Sequence, residues 1–142
     1  MFVFSPETNF TKILKELFMC EKRKVVVIPT FLKENTYVTE IDNVYSAYYP
    51  IIGCRCYDVV ELGGNDALSV DCFVDDEGMI NGSTVNEYWL RAYKQGLIYS
   101  PLFGICVLSM SDRETGDGTE TDLNLVRDTL KEYGFTDDEL SF

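Results

Sequence analysis

The chain has no histidine among its 142 residues. That removes the commonest general base, the usual nucleophile–base triad and most zinc sites at one stroke. No P-loop, nucleophile elbow or dinucleotide glycine fingerprint is present, which lowers the odds of an enzyme without excluding one. Runs of about 18 uncharged apolar residues are also missing, so no membrane-spanning helix is encoded. Met1–Phe10 carries Glu7, no basic cluster and no continuous apolar stretch. This argues against a secretory leader and for a cytoplasmic location. Positive charge is scarce: twelve Lys and Arg face twenty-four Asp and Glu, for a net charge of −12. The balance is uneven, +2 over residues 1–35 and −14 over residues 36–142. Such a body repels phosphate chains, so direct nucleic-acid binding is disfavoured. It suits a basic protein partner or simple solubility, and solubility is the plainer reading.

What is present is ordinary for a folded domain. Apolar residues make up 46% and charged residues 25% of the chain, enough for a real core and too much for wholesale disorder. The length fits a single domain: an N-terminal helix over 1–22, a core over 24–133 and an acidic tail over 134–142. Cys20, Cys54, Cys56, Cys72 and Cys106 form an odd set, most of them inside apolar, strand-like segments. They read as buried reduced thiols and not as a disulfide framework. Cys54 and Cys56 would share one face of a strand, and a zinc site lacks its second tight pair.

Ser5-Pro6-Glu7 is a helix start, and Phe10, Ile13, Leu14, Leu17 and Phe18 follow one apolar face to about Cys20. That face suits docking on the chain's own core, or self-association into a homo-oligomer. KVVVIP (24–29) reads as a buried strand, hairpin-paired with TYVTEI (36–41). A short helix follows, capped by Asp42 or Asn43 and broken by Pro50. Cys54–Leu62 and Leu68–Val74 are strands joined by a Gly-Gly-Asn-Asp turn. Thr84 and Glu87 suggest a capping box for a helix to Lys94. LFGICVLSM (102–110) is the most hydrophobic segment and reads as the central strand. Ser111–Thr121 is expected to be a flexible loop, Thr121 or Asp122 to cap a last helix, Gly134 to stop it, and 136–142 to be loosely held. The fold class is therefore α/β of the α+β kind: a mixed, largely antiparallel sheet of about five strands with three to four helices.

Two features could carry chemistry. Asp75, Asp76 and Glu77 form a dense carboxylate cluster that could hold a divalent cation for a nucleotide hydrolase. Their spacing departs from a calcium loop, and a solvated turn with Gly78 at positive φ is the stronger reading. The second feature is aromatic: nine Tyr, nine Phe and one Trp. Tyr45, Tyr48 and Tyr49 form one cluster; Tyr88, Trp89 and Tyr93 form another. Such rings can stack on a nucleobase or anchor an interface, though a core with polar handles is more frequent. Arg55, Arg91 and Lys94 lie nearest in sequence and could meet a phosphate.

From Lys24 onward the order of features resembles domain-of-unknown-function family 3846. The matching pieces are KVVVIP, EIDN before a short helix, YYPIIGC leading into CYDVVEL, VDDEGMINGSTVNEYW and PLFGICVL, over roughly residues 24–125. Its most specific part is Asp76-Glu77-Gly78 followed, eight residues after the glycine, by Asn86. The resemblance implies a source among bacteria, bacteriophages and mobile elements, and an accessory factor acting against host defences. It assigns no catalytic residue. The leading expectation is a non-enzymatic protein that sequesters a small nucleotide-derived signal, through Tyr48, Arg55, Asn86, Tyr88, Arg91 and Tyr93, with no cofactor and no metal. The alternatives are an acidic decoy for a basic host protein and the metal-dependent hydrolase.

Overall fold

The computed structural model describes residues 22–80 and 82–142. The amphipathic segment Phe10–Phe18 lies outside them. Six strands form one sheet: β1 Lys22–Ile28, β2 Tyr37–Asp42, β3 Tyr57–Gly64, β4 Leu68–Asp75, β5 Cys106–Asp112 and β6 Gly118–Thr119. The order is β2-β1-β5-β4-β3, with β6 on β5, and every pairing between these strands is antiparallel. Three α-helices are described: α1 Tyr48–Ile52, entered through a 3-10 turn at Tyr45–Ala47, α2 Glu87–Lys94 and α3 Leu123–Glu132. This is the expected α+β architecture. The KVVVIP hairpin forms as expected, and the central hydrophobic strand is β5, which begins at Cys106 and not at Leu102.

Strand alternation divides the core in two. On one face Val26, Ile28, Val70, Cys72, Cys106, Leu108 and Met110 meet Tyr88, Trp89 and Ala92 of α2 and Val126 and Leu130 of α3. Burying each such side chain contributes about 1.5–3 kcal/mol, which is why both helices lie on this side. On the other face Val25, Val27, Phe73 and Val107 are covered by Tyr48 and Ile52 of the short α1. Among the described residues that cover is partial, since the five residues of α1 do not span five strands.

Several local expectations are corrected. Pro50 does not break the helix. It is the third residue of α1, where its missing N–H has no intrahelical partner to lose, and Gly53 at φ 74° ends the turn. Asp42 and Asn43 do not cap this region; Val44 is the cap position and makes no side-chain bond. The cap of α2 is Asn86, whose side chain accepts from Tyr88 N and Trp89 N, so Thr84 and Glu87 form no capping box. Glu87 instead accepts from Leu32 N at 2.8 Å. Gly78 is not at positive φ; a Cβ there would come within 3.1 Å of Phe103 Cβ, a matter of close packing. Within 111–121, β6 pairs with β5, and Asp112 accepts from Glu114 N and Thr115 N, so the expected loop is ordered by its own turn. Cys54 and Cys56 precede β3: Cys54 is half-buried and Cys56 exposed, while Cys72 and Cys106 are buried.

The tail is not a loose extension either. Phe135 and Leu140 are buried, Leu140 bridges Thr36, and Thr36 N donates to Glu139 O at 3.1 Å. Arg91 Nη1 and Nη2 each lie 2.7 Å from a Glu139 carboxylate oxygen.

Candidate functional site

The sheet face under α1 carries a buried polar network among the described residues. Arg23, on β1, is buried, and no carboxylate lies within 4.0 Å among the described residues. Its guanidinium donates to Tyr48 Oη at 3.1 Å, Met110 O at 2.6 Å and Thr119 O at 3.0 Å. Gly118 packs against the guanidinium: a Cβ there would fall 2.8 Å from Arg23 Nη1, so a larger residue would shift the arginine head. Tyr48 Oη in turn donates to Ser109 Oγ at 2.8 Å, and its ring lies flat on Phe73 with centroids 4.2 Å apart. Burial pushes the Tyr48 phenol up, opposed by the Arg23 charge and the Ser109 hydrogen bond.

Ser109 stands opposite Asp71 in the β4–β5 register. Asp71 is half-buried. Ser69 Oγ donates to its Oδ1 at 2.6 Å and Ser111 Oγ to its Oδ2 at 2.7 Å. Beside it opens a recess of about 300 Å³ lined by Tyr45, Tyr57, Val59, Asp71, Phe73 and Ser111, with Gly116 at its rim. Tyr57 meets Phe73 edge-on at 5.2 Å, and Tyr45 lies 6.5 Å from the same ring. Burial raises the Tyr57 phenol too, helped by neighbouring tyrosines, so it stays a neutral donor–acceptor at neutral pH. Arg113 closes the far end of the sheet, with Nη1 2.6 Å from Glu61 Oε2 and bonds to Asn65 O and Gly63 O. The recess combines flat apolar walls with one carboxylate, and no lysine or arginine lines it among the described residues. A larger cavity of about 430 Å³ opens by Lys22, Arg23 and Lys24 and is lined mainly by polar groups. There Lys22 is paired with Asp42 at 2.7 Å.

The family described as a domain of unknown function, DUF3846, matches residues 23–133. The chain belongs to it. Neither a curated protein nor a solved structure matches the chain. The assignment agrees with the order of motifs in the sequence, and gives the DUF3846 chain no activity by itself.

The residues singled out from the sequence do not converge in this DUF3846 protein. Asn86 is fully buried: besides capping α2, its Nδ2 donates to Pro29 O at 3.0 Å and Gly104 O at 2.8 Å. Its place in the family-like motif is thereby explained as a brace holding three segments together. Tyr88 is also fully buried, stacked on Phe135 at 5.0 Å with its hydroxyl donating to Glu34 O. Arg91 is committed to Glu139 and Gly134 O, so it offers no free fork to a phosphate. Tyr93 and Lys94 are exposed on the helix side. Arg55 is exposed and 3.4 Å from Glu77 Oε1. Asp75 Oδ1 accepts Glu77 N at 2.9 Å, so the acidic run is used in its own turn. Among the described residues no group of three or more His, Cys, Asp or Glu side chains is arranged to hold a metal. No described helix is long and apolar enough to cross a membrane.

Of the six, only Tyr48 belongs to the recess, as the buried prop beneath it. Tyr45 was visible as part of an aromatic triplet. Asp71, Ser111 and Tyr57 were not singled out, because the serine–carboxylate group joins strands forty residues apart. The one local cue was the alternation Ser69, Asp71, Phe73 on a strand, which puts three polar or aromatic side chains on one face.

Proposed function

We propose that this protein works by holding a small nucleobase-bearing ligand in the recess on its partly covered sheet face, and that it sequesters this ligand without turning it over. The observation that carries the reading is the meeting, in one recess, of the Tyr45 and Tyr57 rings with a carboxylate whose position is fixed by two serine hydroxyls. A base stacks on aromatic rings through its faces and is identified by hydrogen bonds to its edge. Both kinds of group meet there: Tyr57, Asp71 and Ser111 on the adjacent strands β3, β4 and β5, and Tyr45 on the 3-10 turn before α1. The recess volume lies at the lower end of the range for small-molecule pockets.

Charge sharpens the class of ligand. With no basic side chain lining the recess among the described residues and a net charge of −12, the base and sugar carry the affinity and each added phosphate weakens it. The absence of histidine and of an activated nucleophile favours retention over reaction.

The reading is tested by thermal unfolding with free bases, nucleosides and their mono- and triphosphates. A nucleoside at a hundred times its Kd stabilises by about 2.7 kcal/mol, a rise of roughly 5–10 °C for a domain of this size. The expected ranking is nucleoside above monophosphate above triphosphate, with the nucleoside recovered unchanged after prolonged incubation. No shift with any of them at millimolar concentration would overturn the proposal.

A further inference from the structure

The arrangement around Asp71 narrows the ligand further, on the basis of the reading just given. A carboxylate has about four acceptor positions, two on each oxygen. Ser69 takes one on Oδ1 and Ser111 takes one on Oδ2. The two donors come from the same face of the sheet: Ser69 is two residues back along β4, and Ser111 lies opposite Ser69 on β5. One acceptor position therefore remains on each oxygen, and the group lines the recess between the serines and the aromatic walls.

Two parallel N–H donors on one rigid edge match a carboxylate through its two inward (syn) positions, the geometry that makes arginine–carboxylate pairs bidentate. Such a match places the Ser69 and Ser111 hydroxyls on the outer (anti) positions. Among the nucleobases, guanine alone presents adjacent ring N–H and amino N–H donors on its pairing edge. Adenine and cytosine offer an amino group beside an acceptor nitrogen, which would face the carboxylate lone pairs, and uracil flanks one N–H with two carbonyls. We infer that the Asp71 recess is selective for guanine, reading its N1–H and 2-amino group with the two carboxylate oxygens while Tyr45 and Tyr57 hold the ring.

Arg23, Tyr48 and Ser109 act behind this contact as positioning residues. The chain Arg23–Tyr48–Ser109 is closed by hydrogen bonds of 3.1 and 2.8 Å. Tyr48 also fixes Phe73, the ring next to Asp71 on the same face, by flat stacking. None of the three needs to touch the ligand.

The test is calorimetric titration of the full chain with guanosine, inosine, adenosine, cytidine and agmatine. Inosine keeps the ring N–H and lacks the 2-amino group, so it isolates one of the two bonds without any change to the protein. Guanosine is expected to bind tightest, with inosine weaker by at least about tenfold and adenosine weaker still, since a hydrogen bond to a charged group is lost. Asp71→Asn, nearly the same size, is expected to reduce the guanosine–inosine ratio to near one. Equal affinity for all nucleosides would overturn the guanine inference and leave the nucleobase reading standing. Binding of agmatine with no nucleoside bound would show a guanidinium site and overturn both. Should Asp71→Asn fail to fold, the guanosine–inosine ratio of the unaltered protein decides alone.

Discussion

The two faces of the sheet are built from the same strands and end up with different properties. Toward α2 and α3 every inward residue of the central strand is apolar: Cys106, Leu108 and Met110 are all fully buried. On the opposite face the same strand presents Val107, Ser109 and Ser111, and its neighbour presents Phe73, Asp71 and Ser69. The helix side is closed by Trp89, Phe135 and the docked tail, whereas among the described residues the other is covered as far as α1 reaches. A polar half-face next to an incomplete cover is costly to keep dry and useful to keep open. Both faces hold buried structure, the aliphatic and aromatic core on one and the Arg23–Tyr48–Ser109 network on the other, and the recess lies beside the second.

That comparison is exposed to mutation. Trp89 is fully buried and edge-on to Tyr133 at 5.4 Å and Phe135 at 5.3 Å. Trp89→Ala is expected to lower unfolding free energy by about 4 kcal/mol in urea titrations. Arg23→Met removes the buried cation from Tyr48 and two backbone carbonyls, leaving those acceptors unpaired, and is expected to cost about 2–3 kcal/mol. Part of the loss should appear as weaker ligand binding, because Tyr48 and Ser109 lose their anchor.

Glu139 gives a smaller, pH-dependent effect on the closed side. Its hydrogen bond with Arg91 holds its pKa below the ordinary 4.5. A carboxylate depressed in the fold stabilises fully above its unfolded pKa, and that stabilisation is lost as pH falls through the lower folded value. Glu139→Gln should therefore be less stable than the unaltered chain by about 1 kcal/mol at pH 7, with the gap closing as pH falls below the ordinary 4.5, as read from paired denaturation curves. A constant gap across pH would show that the ion pair is not its source. The smallest expected effect is on the open face: Tyr45 is 53% exposed, and Tyr45→Ala should change stability by about 0.5 kcal/mol while markedly reducing nucleoside binding. A loss approaching that of Trp89→Ala would dissolve the distinction between the faces.

Legibility in the sequence followed the range of the interactions. Asp122 capping α3 and Gly134 stopping it depend on bonds a few residues apart, and both were readable. The β1–β2 hairpin was readable from its β-branched alternation. Asn86 was noticed through its motif, yet its role depends on carbonyls from Pro29 and Gly104, segments that only the fold brings together. The tail was misjudged for the same reason: its acidity is local, while its bonds to Asn35, Thr36 and Arg91 are long-range. Arg91 looked available for phosphate because Glu139 is far away in the chain. The recess was half visible, as tyrosines without the carboxylate that stands beside them.

The central claim is that ligand binding belongs to the partly covered face. Backbone amide chemical shifts of the labelled protein, followed during guanosine titration, test it most directly. The account predicts saturable shifts at Tyr45, Tyr57, Val59, Asp71 and Ser111, with Trp89, Leu130 and Leu140 unmoved. Shifts confined to α2, α3 and the tail, or none at saturating guanosine, would contradict it.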